Sequence, residues 1–150
     1  MEKIKLSLAE LLTLEAELNG YVNPQSGEQI LSGFLKEKLN LATKYWLTKL
    51  SDKLISKKKT IEVLRDELIK KFGEEKDGNI GIETFLDEEK TKVNPKFIEF
   101  QDEWAKLLSE EEEIEYNPLT VADLEKIDSE GNYNLVFKLV KEDLAKENDW

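Results

Sequence analysis

From Glu28 to Phe72 the chain runs without a proline and with a single glycine, Gly33, while apolar residues recur every three or four positions. That pattern predicts a long helix, or two nearly collinear ones, and a helix of this length has to bury its apolar stripe against something. Leu47, Leu50, Leu54, Ile61, Leu64 and Leu68 step by three, four, seven, three and four, close to the heptad period of a coiled-coil seam. The first third is broader. Ile30, Leu31, Phe34, Leu35, Leu39, Leu41, Tyr45 and Trp46 cover more than one face and are expected deepest in the core. Ser51-Asp52 and the segment Ser56 to Thr60 are the weakest helix formers, so a bend or break is expected there if anywhere. Lys57, Lys58 and Lys59 read as exposed helix near the tip of a hairpin, since too few cations surround them for a nucleic-acid footprint.

The flanking segments carry start and stop signals. Lys3 to Leu6 alternates polar and apolar residues, a short strand, and Ser7 with Glu10 has capping-box spacing for a helix striped by Leu8, Leu11, Leu12 and Leu18. Asn19-Gly20 ends that helix, and Asn23 to Gly27 is a turn. Phe72-Gly73 ends the long helix. Asn94-Pro95 opens another, with Asn as cap and Pro where its missing N–H costs nothing. Its stripe, Phe97, Phe100, Trp104, Leu107 and Leu108, is the natural antiparallel mate of the long seam. Ile114-Glu115-Tyr116 reads as a strand, and Thr120 caps a turn through Leu124. Tyr133 to Val140 is either strand or short helix, with strand preferred. The expected fold is therefore mainly α: one domain over residues 1–150, a long antiparallel helical hairpin with a small accessory β-sheet at its base. Residues 3–6, 112–116 and 134–140 would supply that sheet.

Charged residues make up 37% of the chain against roughly 25% in an average protein, which suits long solvated helices. The net charge of −11 is uneven: through Phe72 there are 13 basic and 10 acidic residues, and from Gly73 onward 9 and 23. Either the acidic half folds back on the basic one, or it faces a basic partner. With no cysteine and no histidine, thiolate chemistry, structural zinc and the usual neutral-pH general base are absent. No phosphate loop, nucleophile elbow or cofactor motif is present, so neither an enzyme nor a cofactor is expected. Carboxylate chemistry stays conceivable, but among 33 acids some close pair is inevitable and identifies nothing. Glu75 to Ile80 resembles the middle of a calcium-binding EF-hand loop, yet the first and twelfth ligand positions fall on Gly73 and Thr84, so an Asp77-Gly78-Asn79 turn explains it better. The N-terminus has no signal-peptide core, and no apolar stretch is long enough to span a membrane.

The acidic run Glu110, Glu111, Glu112 and Glu113 with Glu115, joined by Asp123 and Glu125, is the candidate partner-binding surface. Such a run is usually a solvated helix end, but it could mimic a phosphate backbone in a basic groove.

Gly20-Tyr21-Val22-Asn23-Pro24-Gln25-Ser26-Gly27-Glu28, the lysine-rich helix ending Glu67 to Gly73, and Asn94-Pro95-Lys96-Phe97 leading to Ile114-Glu115-Tyr116 resemble small acidic proteins of tailed bacteriophages. The resemblance implies a phage origin and a helical accessory protein acting in the host cytoplasm or attached to the virion. It carries over no functional residue. The expected function is noncatalytic binding of a phage or host protein, with self-association as an option and no direct contact with nucleic acid or membrane. A virion or assembly component comes first, and an anti-CRISPR-like inhibitor that masks a nucleic-acid-binding surface is the alternative.

Overall fold

The computed structural model describes residues 2–23, 25–31, 33–124 and 133–140. In chain order the elements are β1 (Glu2–Ser7), α1 (Leu8–Asn19), β2 (Tyr21–Val22), β3 (Gln29–Leu31), a 3-10 turn (Phe34–Lys36), α2 (Leu41–Phe72), β4 (Glu74–Lys76), β5 (Asn79–Gly81), α3 (Pro95–Leu108), β6 (Glu111–Tyr116), α4 (Val121–Leu124) and α5 (Asn134–Phe137). The described residues are mainly helical, and their strands pair as antiparallel couples, β1 with β6, β2 with β3 and β4 with β5. The chain divides into two compact units, Met1–Ser56 with Glu111–Trp150, and Lys57–Glu110.

The first unit holds the apolar core. Leu11, Leu14 and Leu18 of α1 pack in it with Phe34, with Leu47, Leu50 and Leu54 of α2, and with Ile114, Tyr133 and Val136. Tyr133 meets Phe34 edge to face at 5.1 Å between ring centres. Entry into α1 is fixed locally, because the Glu10 N–H donates to Ser7 Oγ at 3.1 Å and the Ser7 N–H donates to Glu10 Oε1 at 3.0 Å. Two donors that a helix start leaves open are thereby satisfied.

Three expectations are corrected here. The long helix starts at Leu41 rather than near Glu28: Gln29–Leu31 pairs with Tyr21–Val22, and Gly33 follows at φ +100°. A Cβ at Gly33 would lie 2.9 Å from the Asn19 carbonyl carbon, so close passage over the end of α1 sets the break. Asn40 then caps α2, accepting the Thr43 N–H at 2.8 Å. Phe34 is fully buried as expected, but Leu41 and Tyr45 are 85% and 53% exposed and Trp46 is exposed as well, so the start of α2 is no deep core. The side chains of Ile30 and Leu31 lie outside the described residues. Finally, residues 134–137 are helical, and Val140 makes an isolated bridge with Leu119, so among the described residues the basal sheet has two strands, not three.

Helix α2 is continuous through residues 51–60. Ser51, a weak helix former, is buried and accepts a hydrogen bond from Asn19 Nδ2 at 2.8 Å, so a tertiary contact offsets its poor propensity.

In the second unit, Asp77 and Gly78 both have positive φ, +53° and +82°, the two-residue turn that matches the twist of a β-hairpin. That hairpin folds tightly onto the helix end, since a Cβ on Gly73 would collide with the carbonyl oxygens of Ile69 and Gly81. Asn94 caps α3 through the Lys96 N–H at 3.1 Å and also ties the incoming loop, donating Nδ2 to the Glu83 carbonyl at 2.8 Å.

Candidate protein-docking surfaces

The acidic run is a strand rather than a helix end. Glu110 is exposed and precedes the strand, and along β6 the side chains alternate, with Glu111, Glu113 and Glu115 exposed and Glu112, Ile114 and Tyr116 turned inward. Across the pair, Lys3 faces Glu115 and Lys5 faces Glu113, and Lys3 Nζ approaches Glu113 Oε1 at 3.5 Å. The outer acids therefore sit among lysines of their own sheet. Both ions of that pair are more than half exposed, so it contributes little to stability.

Asp123 does not join this row. Its Oδ1 accepts Thr43 Oγ1 at 2.9 Å and Asn40 Nδ2 at 3.3 Å, while Oδ2 accepts the Thr120 N–H at 2.8 Å and Thr120 Oγ1 at 3.0 Å. Burial raises its pKa, but these hydrogen bonds outweigh burial and hold the carboxyl below the ordinary aspartate value. Asp123 thus fastens α4 to the start of α2, where a negative charge also suits the helix dipole. It is a structural clasp, not a free docking acid. Glu125 lies outside the described residues.

The seam of α2 changes character along its length. Leu47, Leu50, Leu54 and Ile61 are buried, Leu68 is half-buried, and Leu64 is 37% exposed. On α3, Phe97, Phe100, Trp104, Leu107 and Leu108 are all half-buried and no side chain of the helix is fully buried. Among the described residues of Lys57–Glu110, Ile61 alone is fully buried. This unit carries a strongly amphipathic helix without the closed core that such a helix normally completes.

The same unit contains a cleft of about 480 Å³ between the β4–β5 hairpin, the loop 82–94 and the start of α3. Phe72, Ile80, Ile82 and Phe85 give it apolar walls, and two ion pairs stand at its rim, Lys76 with Glu83 at 3.1 Å and Lys96 with Glu74 at 4.0 Å. The volume is that of a ligand site, but the rim charges neutralise one another. The cleft can hold an apolar group.

No protein-family model, curated protein or solved structure matches the chain.

Sequence reasoning missed Glu17. Only 3% exposed, Glu17 accepts the Leu135 N–H at 2.9 and 3.2 Å and the Val136 N–H at 3.2 Å with its carboxylate, capping α5 from α1. Desolvation by burial pushes its pKa up, and those two N–H groups and Lys138 hold it partly back. The one signal available was position, since Glu17 adjoins the core leucine Leu18 and falls on the apolar face of α1.

Proposed function

We propose that this chain is a noncatalytic, phage-encoded protein-binding module whose first role is that of a virion or assembly accessory protein. The observation that carries this reading is the stripe of α3, where two phenylalanines, a tryptophan and two leucines stay half-buried on a highly amphipathic helix. Each Å² of apolar area removed from water gains roughly 25 cal/mol, so covering the exposed part of this stripe with another protein surface is favourable. In this reading the distal seam, Leu64 and Leu68, and the α3 stripe act together, as an antiparallel hairpin within the chain or as a coiled-coil contact with another. Phage origin rests on the sequence resemblance alone.

Replacing Trp104 and Phe100 by Asp tests it. Both are partly exposed, so the fold should survive by circular dichroism, while retention of partners from phage-infected cells and any self-association should drop at least tenfold. Unchanged association would overturn the reading.

A second reading, an inhibitor of a nucleic-acid-binding host protein, draws on Glu111, Glu113 and Glu115. They form a row of exposed carboxylates at roughly 6.8 Å intervals along a strand. Lys3 and Lys5 opposite them weaken that field and place this reading second. It requires affinity for a basic nuclease that falls steeply with salt, whereas a contact made by the apolar α3 stripe alone is nearly salt-insensitive.

A further inference from the structure

Leu86 is 63% exposed, yet nothing about its loop is loose. Its N–H donates to the Lys92 carbonyl at 2.8 Å, and Phe85 bridges Val93. Asp87 closes the turn by accepting the Thr91 N–H at 2.9 Å, the Lys92 N–H at 3.0 Å and the Thr91 hydroxyl. With Asp87 spent on its own backbone, Glu88 and Glu89 stand exposed just beyond the leucine. From Glu83 to Lys92 the loop carries four acids and two lysines. Leu86 borders the cleft described above and is presented there on a hydrogen-bonded, net-negative turn, and a preorganised knob of this kind loses little freedom when it docks.

The first unit holds a matching hole. Trp46, Leu50 and Tyr116 line a notch of about 130 Å³ beside α2, enough for one branched aliphatic side chain. Lys49 and Lys53, one helical turn apart, form its rim, and Glu115 on the remaining side faces Lys3 across the sheet. Lys49 lies over the Tyr45 ring at 5.7 Å, and neither rim lysine has a carboxylate within ion-pair distance among the described residues.

We propose that the notch of one copy takes the Leu86 knob of a second copy, with Glu88 and Glu89 opposite Lys49 and Lys53. This deepens the assembly reading above and rests on it. Knob and notch are different patches, so each copy offers one surface that inserts and one that receives.

Sedimentation velocity of the full chain tests it. Wild type should grow in mass with concentration, and association should weaken about tenfold or more between low and high salt. Leu86→Asp, which loses the knob, and Lys49→Glu/Lys53→Glu, which loses the charged rim, should each stay folded and monomeric. Mixed in equal amounts they retain one intact knob and one intact notch, and should form a one-to-one dimer and nothing larger. A monomeric wild type, single variants that assemble like wild type, or a mixture that stays monomeric would each overturn the proposal. If Trp104→Asp abolishes association while these variants leave it intact, the docking-module reading stands and only the knob-and-notch contact falls.

Discussion

The Glu17 carboxylate accepts the backbone N–H of Leu135 at 2.9 Å, joining residues 118 positions apart inside the core. A four-residue helix such as α5 has almost no stability of its own, so this distant cap and the burial of Leu135 and Val136 hold it in place.

Glu17→Ala should destabilise the chain by about 1–3 kcal/mol, because it leaves the Leu135 and Val136 N–H groups buried without acceptors. Chemical denaturation at neutral pH measures this. The pH dependence has a definite sign. Since burial raises the Glu17 pKa above its ordinary 4.5, the folded state takes up this proton more readily than the unfolded chain. Stability of wild type relative to Glu17→Gln should rise as pH falls through the raised value, and level off below 4.5. A difference that shrinks on acidification would contradict this account.

Asp123 should behave in the opposite way. Its hydrogen bonds hold its pKa below the ordinary 3.8, so its contribution is fully present above 3.8 and disappears as pH falls through the lowered value. Asp123→Ala should cost about 1–2 kcal/mol at pH 7, as expected for losing an N-terminal cap bond and the link to Thr43 and Asn40. Denaturation midpoints of wild type and variant should converge in strong acid.

Leu54→Ala and Leu64→Ala separate the two halves of the seam. Leu54 is buried in the core, and its truncation should cost about 2–5 kcal/mol. Leu64 is exposed enough that its truncation should stay within about 1 kcal/mol for the isolated chain. Thermal melts compare them directly, and equal losses would mean that the distal seam is also closed.

Gly73→Ala should destabilise the β4–β5 hairpin, because the added methyl meets backbone oxygens on both sides. Overpacking of this kind costs about 1–3 kcal/mol. Amide exchange of residues 74–81 should accelerate while that of Leu11, Leu14 and Leu18 is unchanged.

Where a signal lies within three or four residues, the sequence was readable. Ser7 with Glu10, Asn94 with Pro95, Asp77 with Gly78 and Thr120 ahead of α4 all sit where local chemistry puts them. The seam from Leu47 to Ile61 was readable by its period, and so was the pairing of segments 3–6 and 112–116. The failures have tertiary causes. Residues 28–40 carry helical spacing, but Gly33 passes against Asn19, a contact beyond the reach of any helical period. Residues 134–137 contain strand-forming Val136 and Phe137, yet a carboxylate from α1 caps them as helix. The acidic run looked like a solvated helix end because four glutamates mask a period of two that shows only once Lys3 and Lys5 lie opposite. The charge of Asp123 suggests a docking acid, while its geometry belongs to a clasp that needs Asn40 and Thr43 from elsewhere.

The pairing of Glu2–Ser7 with Glu111–Tyr116 has a consequence for synthesis. The first strand leaves the ribosome long before its mate is made, a wait on the order of ten seconds at roughly 5–20 residues per second. During that interval its hydrogen-bonding edges are bare. Its charged residues Glu2, Lys3 and Lys5 then keep the nascent segment from pairing with strands of other chains, so they protect the newborn protein as well as face their partners in the finished one.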